Sequence, residues 1–259
     1  MTYQNFDLRE KYRPKAFSQI VGNRRVVERL KKIVKSLQVP RGILFRGPAG
    51  SGKTTLARIL IKALHCLNFQ DDVCGKCVEC LSFESHFPDS NKYGFHDCSK
   101  MTRKGLDEII YSLRFGFPTS PTGLHIHGFD EYHRMGEPSQ DKFLVPLEQY
   151  EGILFIFCLI DDSNITRAFR GRVQVFEMKP PEPDELIPWL QGICAAEGII
   201  IKDSNVLRQV AVSANQLPRD CLGLLQQAYF LGEPLSTSLV KELAQDQGSS
   251  GRDSEYRVK

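Results

Sequence analysis

The 259-residue sequence lacks the long apolar run that a membrane-spanning helix needs, because its longest uninterrupted apolar stretch, Ile153 to Ile160, has eight residues. Its first residues are polar and charged, and no signal peptide is visible. It also lacks internal repeats, which argues against a solenoid or propeller. We therefore expect an intracellular globular protein without membrane contact, long enough to bury a full core and to form two domains.

Acidic residues are scarce in the first quarter of the chain. Residues 1–65 contain three Asp or Glu against fifteen Lys or Arg, whereas the remainder contains 28 against 19. The net charge of +3 hides this asymmetry. A basic segment suits a polyphosphate or nucleic-acid partner, although a solvated basic helix face explains most of the individual residues equally well.

Eight consecutive residues match the phosphate-loop pattern G-x-x-x-x-G-K-[ST]. Glycines in such a loop allow backbone N–H groups to point at phosphate oxygens, the lysine adds a positive charge, and the hydroxyl can bind Mg²⁺. The matching residues, with the threonine that follows them, are Gly47, Pro48, Ala49, Gly50, Ser51, Gly52, Lys53, Thr54 and Thr55.

The residues on either side of this loop favour the same interpretation. Gly42 to Phe45 form a short apolar run suited to a buried strand, and Thr55 to Leu64 are apolar at helical spacing. Phosphates would then lie at a helix N-terminus. The alternative is a glycine-rich turn that binds nothing.

The opening of the chain resembles clamp-loader ATPases of the AAA+ class, of the type of the gamma/tau subunit of bacterial DNA polymerase III. The motifs are KYRPKAFSQIVGN at residues 11–23, a helix over 24–37, and GILFRGPAGSGKTTLAR at residues 42–58. The resemblance covers residues 9 to about 245. It implies a RecA-like parallel α/β ATPase domain with an inserted zinc module, followed by a small helical lid domain.

The resemblance also implies how the adenine is held. Because Pro14 forces Arg13 to be extended, we predict that residues 9–22 form an extended segment rather than a helix. In the family this segment lies against the base, and the matching positions are Tyr12, Arg13, Pro14, Val21 and Gly22.

Four cysteines follow the phosphate-loop helix with the spacing C-x7-C-x2-C-x2-C: Cys66, Cys74, Cys77 and Cys80. Two overlapping C-x2-C pairs bring thiolates close enough for tetrahedral Zn²⁺, and a shell of four sulfurs predicts a structural metal. The alternative is a set of free thiols. The resemblance implies a zinc module at this same place.

Residues 124–131 resemble the second ATPase motif, a strand that ends in Asp-Glu. Asp130 would hold Mg²⁺, and Glu131 would polarise the attacking water. The strand that follows departs from the family, because Leu159 and Ile160 occupy the positions of a polar sensor residue. This departure puts the sensing of the nucleotide in doubt.

Further roles come from the resemblance alone. Arg172, with Arg170 as a second choice, matches the arginine that reaches into the neighbouring subunit's ATP, and Arg219 matches a second sensor on the lid. Arg103 and Lys104 precede a predicted helix at Leu106 to Leu113, where the family contacts the DNA backbone; a solvated helix start is an equal alternative.

We predict an ATPase domain over residues 1–179 with the zinc module at 66–80, a lid over 180–245, and a disordered tail over 246–259. No counterpart of the family's helical collar follows, so the sequence is either a piece of a longer protein or assembles in another way. The expected function is an ATP-dependent clamp-loader motor subunit with ATP, Mg²⁺ and Zn²⁺ as cofactors. The expected partners are neighbouring subunits, a sliding clamp and primed DNA.

Two alternatives stay open at this point. One is a nucleotide-binding adaptor subunit with little turnover. The other is an AAA+ ATPase that loads another ring or remodels another nucleoprotein. The expected location is cytoplasmic, with a nucleoid or a viral replication complex as alternatives.

Overall fold

The structure, a computed structural model, describes residues 5–88, 90, 92–113 and 123–252, with side chains described as far as residue 246. No helix in these ranges combines the length and the apolar character needed to cross a membrane. The chain divides into two compact units. We call them the sheet unit (residues 14–20 and 24–178) and the helical unit (residues 1–13, 21–23 and 179–259).

Within the ranges that the structure describes, five parallel strands form one sheet in the order β2-β3-β4-β1-β5. Their bounds are β1 Gly42–Arg46, β2 Tyr93–Asp97, β3 His125–Asp130, β4 Ile153–Leu159 and β5 Gln174–Glu177. The α-helices in the described residues are α1 Leu8–Lys11, α2 Arg24–Ser36, α3 Lys53–His65, α4 Val78–His86, α5 Arg103–Ser112, α6 Glu137–Gln149, α7 Arg167–Arg170, α8 Pro183–Glu197, α9 Val206–Ser213, α10 Pro218–Leu231 and α11 Thr237–Arg252.

The sheet has an apolar core on each face. β4 is buried at all seven positions, which explains its continuous apolar sequence. On one face, Ile156 of β4 belongs to a core shared with α2 and α3; on the other, Phe157 belongs to a core shared with α5, α6 and α7. The predicted RecA-like parallel α/β fold is confirmed.

The helical unit packs α1 and α8 to α11 around its own core, in which Leu190, Val210 and Leu225 are buried. A capping box formed by Glu182 and Glu185 begins α8, and a left-handed glycine, Gly198, ends it. The three helices predicted for residues 184–197, 203–214 and 218–231 are present with bounds that differ by three residues or fewer.

The predicted domain limits need a correction at the N-terminus, because residues up to 13 belong to the helical unit. Leu8 is fully buried in the core of that unit, and its backbone N–H donates to Gln226 Oε1 at 2.9 Å. The Tyr12 hydroxyl and the Lys11 ammonium both bind the Glu197 carboxylate. These contacts join residues far apart in sequence, and no local pattern signals them.

Two predicted conformations also need correction. Leu8–Lys11 forms one helical turn capped by Asp7, so the opening segment is not extended throughout. The last helix reaches Arg252, so residues 246–252 of the predicted disordered tail are helical. Residues 253–259 lie outside the described residues.

The Glu197→Gln variant should lose stability at neutral pH. Hydrogen bonds from Lys11 and Tyr12 lower the pKa of Glu197, so the carboxylate stabilises the folded state above its ordinary pKa near 4.3, and this stabilisation disappears as the pH falls through the lowered pKa. We expect a loss of about 1 kcal/mol at pH 7, measured as a lower melting temperature, and a progressively smaller loss as the pH falls below the ordinary pKa.

The exposed Glu233 provides the control, since Glu233→Gln removes the same charge from the same unit. A Glu197→Gln variant as stable as Glu233→Gln at pH 7 would contradict the stabilising role of this contact.

Candidate nucleotide site

The phosphate loop connects the end of β1 to the start of α3, at the carboxyl edge of the sheet. The Gly47 N–H donates to Leu159 O at 3.3 Å, which ties the loop to the end of β4. Gly47 has a φ of 151°, and a Cβ added there would lie 2.3 Å from Met178 O. Since α3 begins at Lys53, the loop presents backbone N–H groups at a helix N-terminus.

Lys53 is held above this loop by backbone carbonyls. Its Nζ donates to Gly47 O at 2.8 Å and to Pro48 O at 2.9 Å, and the residue is only 6% exposed. A buried ammonium needs such partners because burial of an unpaired charge is costly. The loop therefore carries a positive charge at the place where the pattern predicts phosphate oxygens.

The structure brings Thr54 and Asp130 into direct contact. The Thr54 hydroxyl donates to Asp130 Oδ2 at 2.8 Å, and the Glu131 N–H donates to Asp130 Oδ1 at 3.1 Å. Burial raises the pKa of Asp130, although these two hydrogen bonds act in the opposite direction. A hydroxyl and a carboxylate at this separation are oxygen ligands that suit Mg²⁺.

Glu131 follows Asp130 in a strained backbone conformation, with a φ of 52°. It precedes a 3₁₀ turn, Tyr132–Met135, in which Tyr132 is buried and packs against Phe143 and Phe157. The Glu131 Oε2 lies 3.4 Å from His133 Nε2. The buried tyrosine therefore anchors the turn from which Glu131 and His133 project.

The end of β4 differs from the polar sensor position of the family. Leu159 is fully buried, and Ile160 is exposed. Asp162 follows this strand end and forms two ion pairs. Its Oδ1 lies 2.7 Å from Arg46 Nη1, and its Oδ2 binds Arg170. The sequence shows the acidic residues after β4, but it does not show which arginines they bind.

The arginines predicted to act on a neighbouring subunit have partners within this chain. Arg172 Nε donates to Glu148 Oε1 at 2.8 Å, and its Nη1 donates to Ala168 O at 2.7 Å. Arg170 binds Asp162. The Arg172–Glu148 pair is partly exposed to solvent and exposed ion pairs are weak, so a stronger anion could compete for Arg172. Their role in trans stays a prediction.

The residues predicted to contact DNA lie at the start of α5. Arg103 and Lys104 are both exposed in its first turn, which Thr102 caps by accepting from Gly105 N at 3.1 Å. Lys104 Nζ lies 4.0 Å from Glu108 Oε1. The arrangement is compatible with phosphate binding, and the role of both residues stays a prediction.

The residues assigned to the adenine and to the lid lie mostly in the helical unit: Tyr12, Arg13, Val21, Gly22 and Arg219, whereas Pro14 lies in the sheet unit. Burial and the bond to Glu197 raise the pKa of Tyr12 to about 12. Arg219 is exposed in the first turn of α10. Their roles towards a nucleotide stay predictions.

The four cysteines of the predicted zinc module meet in space, with all four Sγ atoms within 4.8 Å of one another. Cys74 N–H donates to Cys66 Sγ at 3.4 Å, Cys77 N–H to Cys74 Sγ at 3.3 Å, and Cys80 N–H to Cys77 Sγ at 3.5 Å. Backbone N–H donors of this kind stabilise thiolates. The set therefore fits a four-sulfur metal shell.

The other four cysteines, Cys98, Cys158, Cys194 and Cys221, are buried and free. Burial raises the pKa of each of these thiols. They are core residues, as the sequence predicts.

Solved structures share this fold. The Holliday junction branch migration motor RuvB of Thermotoga maritima superposes with a TM-score of 0.66 over 90% of this chain and 72% of that chain, at 16% sequence identity. Together with the phosphate loop and the adjoining Asp-Glu pair, this architecture defines the class of the protein, which is the P-loop AAA+ fold.

Sequence comparisons define the family. A family model described as DNA polymerase III, delta subunit, matches residues 22–182, and the chain belongs to this family. It is 30% identical over 241 residues to the DNA polymerase III subunit gamma/tau of Mycoplasma pneumoniae, covering 90% of this chain and 34% of that protein. It is also 30% identical over 239 residues to Protein STICHEL of Arabidopsis thaliana, covering 90% of this chain and 19% of that protein.

The resemblance to clamp-loader proteins predicted from the motifs is thus confirmed. The chain spans about a third of the length of the gamma/tau protein and about a fifth of the length of Protein STICHEL. What those whole proteins do is therefore carried over only as a proposal.

The Gly47→Ala variant should destabilise the sheet unit, because its Cβ would clash with Met178 O and its φ disfavours a side chain. We expect a loss of about 2 kcal/mol or more and a fall in melting temperature of several degrees. Gly192→Ala is the control. Gly192 lies in α8 with open space where a Cβ would be, so alanine there should raise the free energy of unfolding by at most about 1 kcal/mol. Equal melting temperatures for the two variants would contradict the close approach at Gly47.

Proposed function

We propose that this chain is an ATP-hydrolysing motor subunit of a clamp-loader complex in DNA replication. The observation that carries the proposal is the hydrogen bond between Thr54 and Asp130, which joins the phosphate loop to the carboxylate at the end of β3. Membership of the DNA polymerase III family and the gamma/tau relatives support the biological context.

The chemistry follows from the groups around this bond. The phosphate oxygens of ATP would replace the carbonyls of Gly47 and Pro48 as partners of the Lys53 ammonium, while loop N–H groups bind the same oxygens. Thr54 and Asp130 would hold Mg²⁺, which when bound neutralises charge on the phosphates. Glu131, on the turn anchored by Tyr132, would orient and polarise the attacking water.

Other predicted residues complete this proposal. Tyr12, Arg13, Pro14, Val21 and Gly22 would enclose the adenine. Arg219 would contact the nucleotide from the lid, and Arg172 would stabilise negative charge in the site of a neighbouring subunit. Arg103 and Lys104 would bind the DNA backbone. Subunits arranged in a spiral around ATP would open a sliding clamp, load it on primed DNA, and release it after hydrolysis.

Two observations favour the alternative of an adaptor subunit with weak turnover. The end of β4 carries Leu159 and Ile160 where the family has a polar sensor, and Arg172 is bound to Glu148. The remaining alternative is a motor that acts on another nucleoprotein. The fold shared with the branch migration motor is compatible with it.

We also propose that Cys66, Cys74, Cys77 and Cys80 hold a structural Zn²⁺. Cys74 Sγ and Cys80 Sγ lie 3.9 Å apart, close to the separation of two sulfurs bound to one zinc at about 2.3 Å each in a tetrahedral shell. Four protein ligands leave no position open for a substrate. The zinc would therefore stabilise the module rather than take part in hydrolysis.

Steady-state ATP turnover tests the motor function, measured for the chain alone, with primed DNA, with a sliding clamp and with both. Stimulation by DNA and clamp together supports the proposal. Binding of ATP without turnover supports the adaptor, and indifference to the clamp supports action on another nucleoprotein.

The Glu131→Gln variant should bind ATP within about twofold of the original protein but hydrolyse it at least about 100-fold more slowly, because the amide cannot accept a proton from water. Glu137→Gln, which removes an exposed carboxylate at the start of α6, should leave turnover unchanged. Unchanged turnover in Glu131→Gln would remove Glu131 from its proposed role.

The Cys77→Ser variant should lose the metal, since it removes one of four thiolate ligands. Metal analysis by mass spectrometry should give about one zinc per chain for the original protein and close to none for the variant. Cys98→Ala, which removes a buried thiol outside the cluster, should retain the metal. A Cys77→Ser protein with a full equivalent of zinc would refute the assignment.

A further inference from the structure

A single carboxylate connects the four-cysteine module to the segment that we call the strap, residues 14–20 of the sheet unit. Asp72 Oδ1 accepts from the backbone N–H of Phe17 at 2.9 Å, and Asp72 Oδ2 accepts from the N–H of Ser18 at 2.8 Å. Oδ1 also accepts from the N–H of Val73 at 2.8 Å. These bonds satisfy the first two N–H groups of a 3₁₀ turn, Phe17–Gln19, whose preceding residue, Ala16, offers no side-chain cap.

Apolar packing strengthens the same contact. Phe17 is 1% exposed and makes an edge-to-face contact with Phe69, with ring centroids 6.4 Å apart. Phe69 and Val73 also pack against the core formed by α2 and α3. Asp72 and Phe69 thus hold the strap by its backbone and by its one buried side chain.

The part of the module that makes these contacts lies between two of the cysteines. Residues 67–73 separate Cys66 from Cys74 and contain turns and bends but neither helix nor strand. The Cys74 N–H donates to Cys66 Sγ at 3.4 Å, which closes the loop at its base. A metal ion bound to both cysteines would lock this closure and reduce the number of conformations that the loop can adopt.

The strap in turn leads directly into the residues predicted to enclose the adenine. Its N-terminal end is Pro14, preceded by Tyr12 and Arg13, and its C-terminal end is followed by Val21 and Gly22. The strap is therefore covalently continuous with residues of that set at both of its ends.

We propose that Asp72 is a positioning residue through which metal binding at the four-cysteine module orders the strap and thereby tightens adenine binding. The part that concerns adenine rests on the proposed ATP-binding function; the part that concerns the strap does not. The phosphate loop, which lies between β1 and α3, is fixed by its own contacts and is expected to be independent of Asp72.

Amide hydrogen exchange on the whole chain tests the link to the strap. In the original protein, removal of zinc by a chelator should accelerate exchange in residues 14–20 by at least tenfold. In Asp72→Asn, which retains only one carboxyl-type oxygen, exchange of the Ser18 amide should be fast with zinc bound, and chelation should add little. The proposal would be overturned if exchange in residues 14–20 of the original protein stayed the same after verified zinc removal. It would also be overturned if these residues exchanged as slowly in Asp72→Asn as in the original protein.

Asp71→Asn is the matched control. Asp71 is the neighbouring acidic residue, is exposed, and binds Lys31 and Lys35 on α2 rather than the strap. Amide exchange in the strap of Asp71→Asn should match that of the original protein, both with zinc bound and after chelation. Both variants should retain one zinc per chain, and protection lost in Asp71→Asn as well would overturn the specific role of Asp72.

Binding measurements test the link to adenine. Displacement of a fluorescent ATP analogue should show ATP binding three- to tenfold more weakly to Asp72→Asn, with binding of inorganic tripolyphosphate unchanged. An equal loss for both compounds, or none for ATP, would overturn this part. If the original protein fails to bind ATP, the proposed function fails, whereas the exchange experiment still decides whether Asp72 connects metal and strap.

Discussion

The hydrogen bond from Thr54 to Asp130 joins two segments that are 76 residues apart in sequence, and the geometry of the whole candidate site depends on it. Thr54 lies in the first turn of α3, after β1, and Asp130 ends β3. These two strands are not neighbours, because β4 lies between them. The contact therefore crosses the carboxyl end of β4, the strand that lies between β3 and β1.

The groups around this contact are ionisable and at least partly buried, and burial disfavours their charged forms. Burial raises the pKa of Asp130, so ionisation of its carboxyl is opposed in the folded protein. Lys53 is more deeply buried than Asp130, and its ammonium donates to two carbonyl oxygens of the loop. Buried ionisable groups of this kind are typical of sites that bind a charged ligand.

Much of this arrangement could be predicted because it is encoded in short patterns. The phosphate loop, the strand ending at Asp130 and the cysteine spacing each depend on residues close together in sequence. The placement of Leu8 in the helical core could not be predicted, since its neighbours there follow about 180 residues later. The same holds for Arg172 and its partner Glu148, and for Asp72, because an acidic loop residue gives no sign of which backbone it will bind.

Under the proposed function, the departures at the end of β4 would affect hydrolysis more than nucleotide binding. The bonds of Lys53 to the loop and of Thr54 to Asp130 do not involve Leu159 or Ile160, so the proposed binding of a triphosphate and its metal would not require a polar residue there. A polar sensor acts instead on the γ-phosphate and the attacking water, where charge develops only during the reaction. Under the proposed function, full turnover would depend on groups from outside β4, above all on the arginine proposed to come from a neighbouring subunit. Assembly would then control hydrolysis more strongly than in relatives that retain the polar residue.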